Sequence, residues 1–156
     1  MRRSAIIILI LLTLSFTCAS YIHAFRNEKS GYNGFEWGDS YDKYLKTSTK
    51  KLKKKDNVYY GAKIRGVDVD VGYEFYKDKL YGVLITFPEN KRDEIITHFK
   101  YLHGKPSLKR GKNLYWVGAK TKISLRKENV KIVSIEMEKE YIKDVVVKKK
   151  KKKSSK

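Results

Sequence analysis

Val67-Asp-Val-Asp-Val-Gly-Tyr-Glu-Phe-Tyr-Lys-Asp-Lys-Leu-Tyr-Gly-Val-Leu-Ile-Thr-Phe87 is the stretch whose reading decides the fold. Val67, Val69, Val71, Tyr73 and Phe75 alternate with Asp68, Asp70, Gly72 and Glu74, a period of two that suits a half-buried strand and not a helix. One face of that strand is apolar and the other acidic. Beyond the polar turn Lys77-Asp78-Lys79, Tyr81, Val83, Ile85 and Phe87 fall on one face, while Leu80 and Leu84 make the other partly apolar. The pair reads as a β-hairpin whose second strand is the more deeply buried.

Working outward, Val58, Tyr60, Ala62 and Ile64 alternate in the same way and join the central strand through Arg65-Gly66, which extends the hairpin to a meander. Before it, Phe35 to Gly38 is a short strand. Asp39 is placed to cap a helix from Ser40 to about Lys50, with Asp42 reaching back and Tyr41, Tyr44, Leu45 and Leu52 at helical spacing. The lysines at 50, 51, 53, 54 and 55 suit a helix C-terminus. After it, Pro88 stops the third strand, Asn90 caps, and Ile95, Phe99 and Leu102 form the stripe of a helix from about Lys91 to His103, ended by Gly104 with Pro106 beyond. Leu114 to Val117 and Thr121 to Arg126 read as one strand bent at Gly118, and Val130 to Met137 as the last, joined through Glu128-Asn129. The order β-α-β-β-β-α-β-β predicts an α+β domain with a single mostly antiparallel sheet and two helices on one face. Residues 1–24 are thereby assigned to a signal peptide or membrane anchor, 25–34 to a linker, 35–144 to the domain and 145–156 to a disordered poly-lysine tail.

The formal charge of +19 is spread over the chain: removing the seven lysines of residues 148–156 together with Arg2 and Arg3 leaves +10 for residues 25–147. A body this basic favours an anionic lipid or polymer, or an envelope protein with an acidic surface, as its partner. Cys18 is the only cysteine, so a domain that starts beyond it has no internal disulfide and no thiolate metal site.

Arg2-Arg3, the apolar run Ala5 to Phe16 and the small residues Ala19, Ser20 and Ala24 have the layout of a secretory signal peptide. Two other readings are open. Residues 5–25 contain no Lys, Arg, Asp or Glu and are long enough to span a bilayer as an uncleaved anchor. Lipid attachment at Cys18 is the other, although Phe16 puts a bulky ring near the cut. All three predict an extracytoplasmic domain, periplasmic, envelope-bound or secreted.

Chemistry-bearing motifs are scarce. His98 and His103 are five apart and miss the spacing that would put two imidazoles on one metal. Asp68, Asp70 and Glu74 share one strand face and are the weak candidates for a metal site or for a hydrolase-type enzyme. Pairing with Lys63, Arg65 or neighbouring lysines is the simpler expectation, because a flat sheet face seldom supplies the six or more oxygens that calcium takes. Tyr59, Tyr76, Tyr115 and Trp116 could stack single-stranded nucleic acid, yet most aromatics lie on the apolar phase of their strands, and nucleic acid is not the expected partner. Lys148, Lys149, Lys150, Lys151, Lys152 and Lys153 are the candidate anion-binding residues. No catalytic constellation and no cofactor motif emerges, so the expectation is a non-enzymatic binding or assembly module.

Gly34-Phe-Glu-Trp-Gly38, Tyr73-Glu-Phe-Tyr-Lys-Asp-Lys-Leu-Tyr81 with Val83 to Phe87, Gly104-Lys-Pro106 and Tyr115-Trp116 together resemble small uncharacterised bacterial secreted or lipoprotein domains, with their G-F-x-W-G opening and Y-x-F-x-x-x-K-L-Y hairpin. The resemblance spans about residues 33 to 138, implies an exported domain and carries no catalytic residue; the lysine tail lies outside it.

Intact-mass measurement on protein recovered from cell fractions tests the address. The expected chain lies outside the cytoplasmic membrane and lacks residues 1 to about 20. Added lipid mass on Cys18, or a retained Met1, would select one of the other two readings.

Overall fold

The computed structural model describes residues 24–47 and 58–154, with side chains described for 24–47 and 61–147. The short strands β1 (Gly31–Tyr32) and β2 (Phe35–Glu36) pair as a small hairpin and lead to helix α1 (Tyr41–Thr47). Then come β3 (Val58–Ile64), β4 (Val67–Tyr76), β5 (Lys79–Thr86), a 3-10 turn (Glu89–Lys91), α2 (Arg92–His103), β6 (Leu108–Arg110), β7 (Asn113–Val117), β8 (Thr121–Leu125), β9 (Asn129–Ser134) and α3 (Ile135–Ser154). The seven strands β3 to β9 form one antiparallel sheet in the order β3-β4-β5-β9-β8-β7-β6, so the fold is α+β as expected.

Three hairpins turn on left-handed residue pairs: Asn33-Gly34, Arg65-Gly66 and Lys77-Asp78. Two-residue turns of this hand match the twist of antiparallel strands, which is why the meander β3-β4-β5 forms with so little loop. Its register differs from simple alternation at one point. Glu74 faces Gly82 while the adjacent Phe75 faces Leu80, so Tyr81 is an extra residue in a bulge. The bulge reverses the phase of β5. Leu80 therefore joins Val83 and Ile85 in the core, and Tyr81 turns to the opposite face, contrary to the sequence reading.

The core lies between the sheet and the layer made by α1, α2 and the N-terminal hairpin. Tyr44 of α1 packs among Phe35, Tyr73 and Phe75, and Ile95 and Phe99 of α2 pack toward Trp116, which is fully buried and donates from Nε1 to the Gly104 carbonyl at 2.9 Å. Gly104, at φ 77°, ends α2 as expected. The caps shift by one residue. Ser40, not Asp39, accepts the Lys43 N–H, because the Asp39 carboxylate is taken by the Glu36 N–H and by Lys43 Nζ. Asn90 sits inside the 3-10 turn, and α2 begins after Lys91 without a side-chain cap.

Four further expectations fail. The stretch Leu114 to Arg126 is not one bent strand but the hairpin β7-β8, with the reversal at Gly118 to Lys120. The last strand stops at Ser134, whose Oγ accepts the Met137 N–H as a helix cap; the acids Glu136 and Glu138 then favour a helix start. The expected disordered tail from 145 is instead helical backbone through Ser154, since lysine is a good helix former and cations suit a C-terminus. Residues 25–34 are not a linker. Phe25 is buried, and the Glu28 carboxylate accepts the N–H groups of Ala119 at 3.1 Å, Lys120 at 2.6 Å and Thr121 at 2.8 Å. Gly118 is part of the same clamp, because a Cβ there would overlap the Glu28 carboxyl.

While α1 and α2 share one face, α3 lies on the other. Tyr141 stacks on Tyr81 with ring centroids 5.3 Å apart, Lys122 pairs with Glu138, and the Tyr76 hydroxyl donates to Asp144. Lys77 bridges Glu140 at 2.8 Å and Asp144 at 3.1 Å, and those two acids hold its pKa above the usual value.

Replacing the Glu28 clamp should expose its cost. Glu28→Ala strands three N–H groups at the β7-β8 turn and should lower stability by about 2 kcal/mol in urea unfolding, with Glu28→Gln losing less.

Candidate functional site

Two of the three acids on the outer face of the central strand are held in ion pairs. Asp68 pairs with Lys63 directly across the strands at 2.9 Å, and Glu74 pairs with Lys131 at 2.8 Å. That second pair crosses β5 at Gly82, where a Cβ would come to 3.0 Å from the Glu74 carboxylate; the missing side chain leaves the passage open. Tyr81 beside it has its pKa raised by burial first and by Glu74 next. Asp70 is exposed on the same face in a shallow groove with Asp68 and Lys63. Among the described residues no group of three or more His, Cys, Asp or Glu is placed to hold a metal. Asp68, Asp70 and Glu74 therefore do not converge on a site.

Nor do the described members of the aromatic set, Tyr76, Tyr115 and Trp116, share one exposed face. Trp116 is in the core, Tyr76 is covered by Tyr81 and Tyr141 of α3, and Tyr115 is half-buried on the opposite side of β7 from Trp116. The side chain of Tyr59 lies outside the described residues, as do Cys18 and the side chains of Lys148 to Lys153. No described helix is long and apolar enough to cross a membrane.

Two concavities flank the segment that enters the domain at Phe25. The first, about 700 Å³, lies between that segment and α2 over a floor of Ile64, Ile85, Ile123 and Ile132. Four of its polar side chains are engaged within the fold. Glu28 holds the turn, the Asn27 amide donates to the Leu102 carbonyl at 2.9 Å, Thr121 accepts from Trp37 Nε1 at 2.8 Å, and His103 Nδ1 meets the Arg26 carbonyl at 3.1 Å. The side chains of Lys29, Asn33 and His98 line the space as well.

The second concavity is different in kind. An open groove of about 570 Å³ runs past the end of α2 between Arg26, Lys100, Tyr101, Lys105 and Lys109, floored by Leu114 and by Gly104 and Pro106. Four cations and no carboxylate line it, and none of the four is ion-paired to a described acid. Tyr101, absent from the sequence reading, is 71% exposed in its wall, with the Arg65 guanidinium 5.8 Å from its ring centroid. The geometry has a simple origin. Gly104 and Pro106 reverse the chain after α2, which sets Lys105 and Lys109 opposite Lys100 and Tyr101, while the buried Phe25 fixes Arg26 alongside. Like charges so placed repel one another until an anion neutralises them. Tyr101 could have been found in the sequence, since it falls off the Ile95, Phe99, Leu102 stripe of its helix.

No protein-family model matches this chain, and no match to it was found among curated proteins or among solved structures.

His98 and His103 line the first cavity as structural groups. Burial is the main cause holding both pKa values below the usual one, with Arg65 adding to it for His98 and Lys29 for His103, where the Arg26 carbonyl pulls the other way. The folded state thus favours the neutral rings, and the unfolded state binds more protons. The stability they contribute is present above the unfolded value of about 6.5 and is lost as pH falls through the depressed folded values. Urea midpoints should therefore drop between pH 7.5 and pH 5. In the pair His98→Gln, His103→Gln that drop should be visibly smaller.

Proposed function

We propose that this chain is a non-enzymatic binding module that works outside the cytoplasm and holds an anionic polymer or surface. The observation that carries this reading is the groove of Arg26, Lys100, Lys105 and Lys109, which gathers four cations with no described counter-charge around an exposed aromatic ring. The layout of residues 1–24 supports the extracytoplasmic half of the proposal, and the lysines at 148–153 add a second positive region. Each lysine near an anionic surface is worth about 1 kcal/mol, so the two regions together suffice for strong, salt-sensitive attachment. Ion pairing of Asp68 and Glu74 leaves a hydrolase reading without an assembled pair of acids. Burial of Trp116 and covering of Tyr76 take away two of the four rings that a nucleic-acid platform would use.

The triple variant Lys100→Glu, Lys105→Glu, Lys109→Glu, titrated with dextran sulfate, tests the groove. Binding should weaken at least tenfold at low salt, and the gap from wild type should close toward 1 M salt, where the Debye length is about 3 Å. Stability should change by no more than about 0.5 kcal/mol, because all three side chains are exposed. Unchanged dextran sulfate binding at low salt would refute the groove.

A further inference from the structure

Tyr101 is the most exposed large apolar side chain among the described residues, and it stands beside the cations of the groove at the end of α2. Ile95 and Phe99 are the buried residues of that helix, so core packing gives no reason for a large ring on its outer side. The Arg65 guanidinium lies 5.8 Å from the ring centroid without lining the groove, which steadies the ring and leaves the groove free. A helix C-terminus ordinarily carries partial negative charge that opposes an anion. Here three carbonyls at that end are taken: the Lys100 carbonyl accepts the Gly104 N–H at 2.8 Å, the Leu102 carbonyl accepts the Asn27 amide at 2.9 Å, and the Gly104 carbonyl accepts Trp116 Nε1 at 2.9 Å. The groove therefore shows a ligand positive charge and one aromatic ring, over an apolar floor of Pro106 and Leu114.

We infer that the groove binds an acidic polysaccharide, with one sugar ring lying on Tyr101 and the acid groups of that sugar and its neighbours on Arg26, Lys100, Lys105 and Lys109. This rests on the reading of the groove as an anion site and names the class of polymer it takes. Two chemistries have to be satisfied together. A pyranose has a face of C–H groups that covers apolar surface and meets the negative face of an aromatic ring, while the acid groups on its rim stay within reach of cations. Polyphosphate, or a peptide of Asp and Glu, neutralises the lysines but brings no such face to the ring. A bilayer is flat and does not reach the floor of a concave groove. Single-stranded nucleic acid stacks successive bases on successive rings, whereas Tyr101 is the one aromatic ring that lines this groove. The groove is open rather than enclosed, which admits a segment of a longer chain.

The test titrates the chain as recovered from cells, at low salt, with polygalacturonate, polyglutamate and poly(dT). The first two carry the same acid group, one on sugar rings and the other on a peptide. Tyr101→Ala should weaken polygalacturonate binding about fivefold and leave polyglutamate binding within about twofold of wild type. Tyr101→Phe keeps the ring face and should hold both near wild type. The side chain is exposed, so the fold should persist, and urea midpoints check that it does. Equal polygalacturonate binding by wild type and Tyr101→Ala, or an equal loss on polygalacturonate and polyglutamate, would overturn the inference; a larger loss on poly(dT) than on polygalacturonate would overturn it in favour of a nucleobase. Dextran sulfate separates the acid groups a sugar can carry: a Tyr101→Ala loss on both sugar polymers assigns the ring whatever its acid group, and a loss on polygalacturonate without one on dextran sulfate assigns a uronic acid. Failure of the groove itself is read from the lysine-to-glutamate triple. If the triple weakens dextran sulfate binding while Tyr101→Ala spares polygalacturonate, the groove stands as an electrostatic site and only the sugar falls; if the triple changes nothing, both fall.

Discussion

Everything in this molecule depends on the pairing of β5 with β9. Among the described residues, Gly82 to Thr86 and Asn129 to Val133 form the only ladder that joins the meander β3-β4-β5 to the strands β6 to β9. On one side of that ladder Val83 and Ile85 lie against Ile132 and Val130 in the core; on the other, Gly82 lies against Val133, with the Glu74 to Lys131 ion pair passing over it. The two central strands are buried on both faces, which explains why β5 carries apolar residues in both phases. Because the partners are nearly fifty residues apart in sequence, the pairing closes a long loop and belongs to the slow, non-local class of folding contacts. The strand order on either side of this ladder is nearly a mirror image, with α1 leading into one half and α2 into the other.

The parts of this architecture that were legible in the sequence are those specified by neighbours in the chain. Alternation of Val67 to Phe75, the Arg65-Gly66 turn, the Ile95 and Phe99 stripe and the Gly104 stop all act over a few residues, and all are found where the pattern puts them. What was hidden acts at long range or through small departures from a period. Glu28 looks like an ordinary charge in a polar stretch until the N–H groups it receives, more than ninety residues on, are brought to it. The bulge at Tyr81 changes one residue of register and sends every side chain before it to the other face. Val130, Ile132 and Ser134 alternate smoothly into Glu136, so the strand pattern runs past its true end and conceals the Ser134 cap.

The groove at the end of α2 was illegible for a related reason. Lysine is so abundant that no single one stands out, and an anion site is defined by which lysines are left over once the acids have chosen partners. Asp39, Asp68, Glu74, Glu89, Glu94 and Glu138 are each committed to a particular cation. Those choices are made by strand register and helix docking, and they empty the neighbourhood of Lys100, Lys105 and Lys109 of negative charge. Three of these pairs, those of Asp68, Glu89 and Glu94, are exposed on both partners and contribute little to stability. Their larger effect is to sort the surface into neutral and positive regions.

The burial of Phe25 and the clamp at Glu28 also bear on how the domain responds to what happens upstream of it. Phe25 is buried and Glu28 is bonded to the β7-β8 turn, so the described chain is tied to the sheet within its first five residues. A pull on the chain from that side is therefore delivered to the Glu28 carboxylate and the three N–H groups at the β7-β8 turn, across the sheet rather than along one strand. Mechanical load, or a protease that needs several residues of extended chain on both sides of its cut, meets folded structure at once. A cut on the C-terminal side of Phe25 would therefore have to open the core before it could reach its bond.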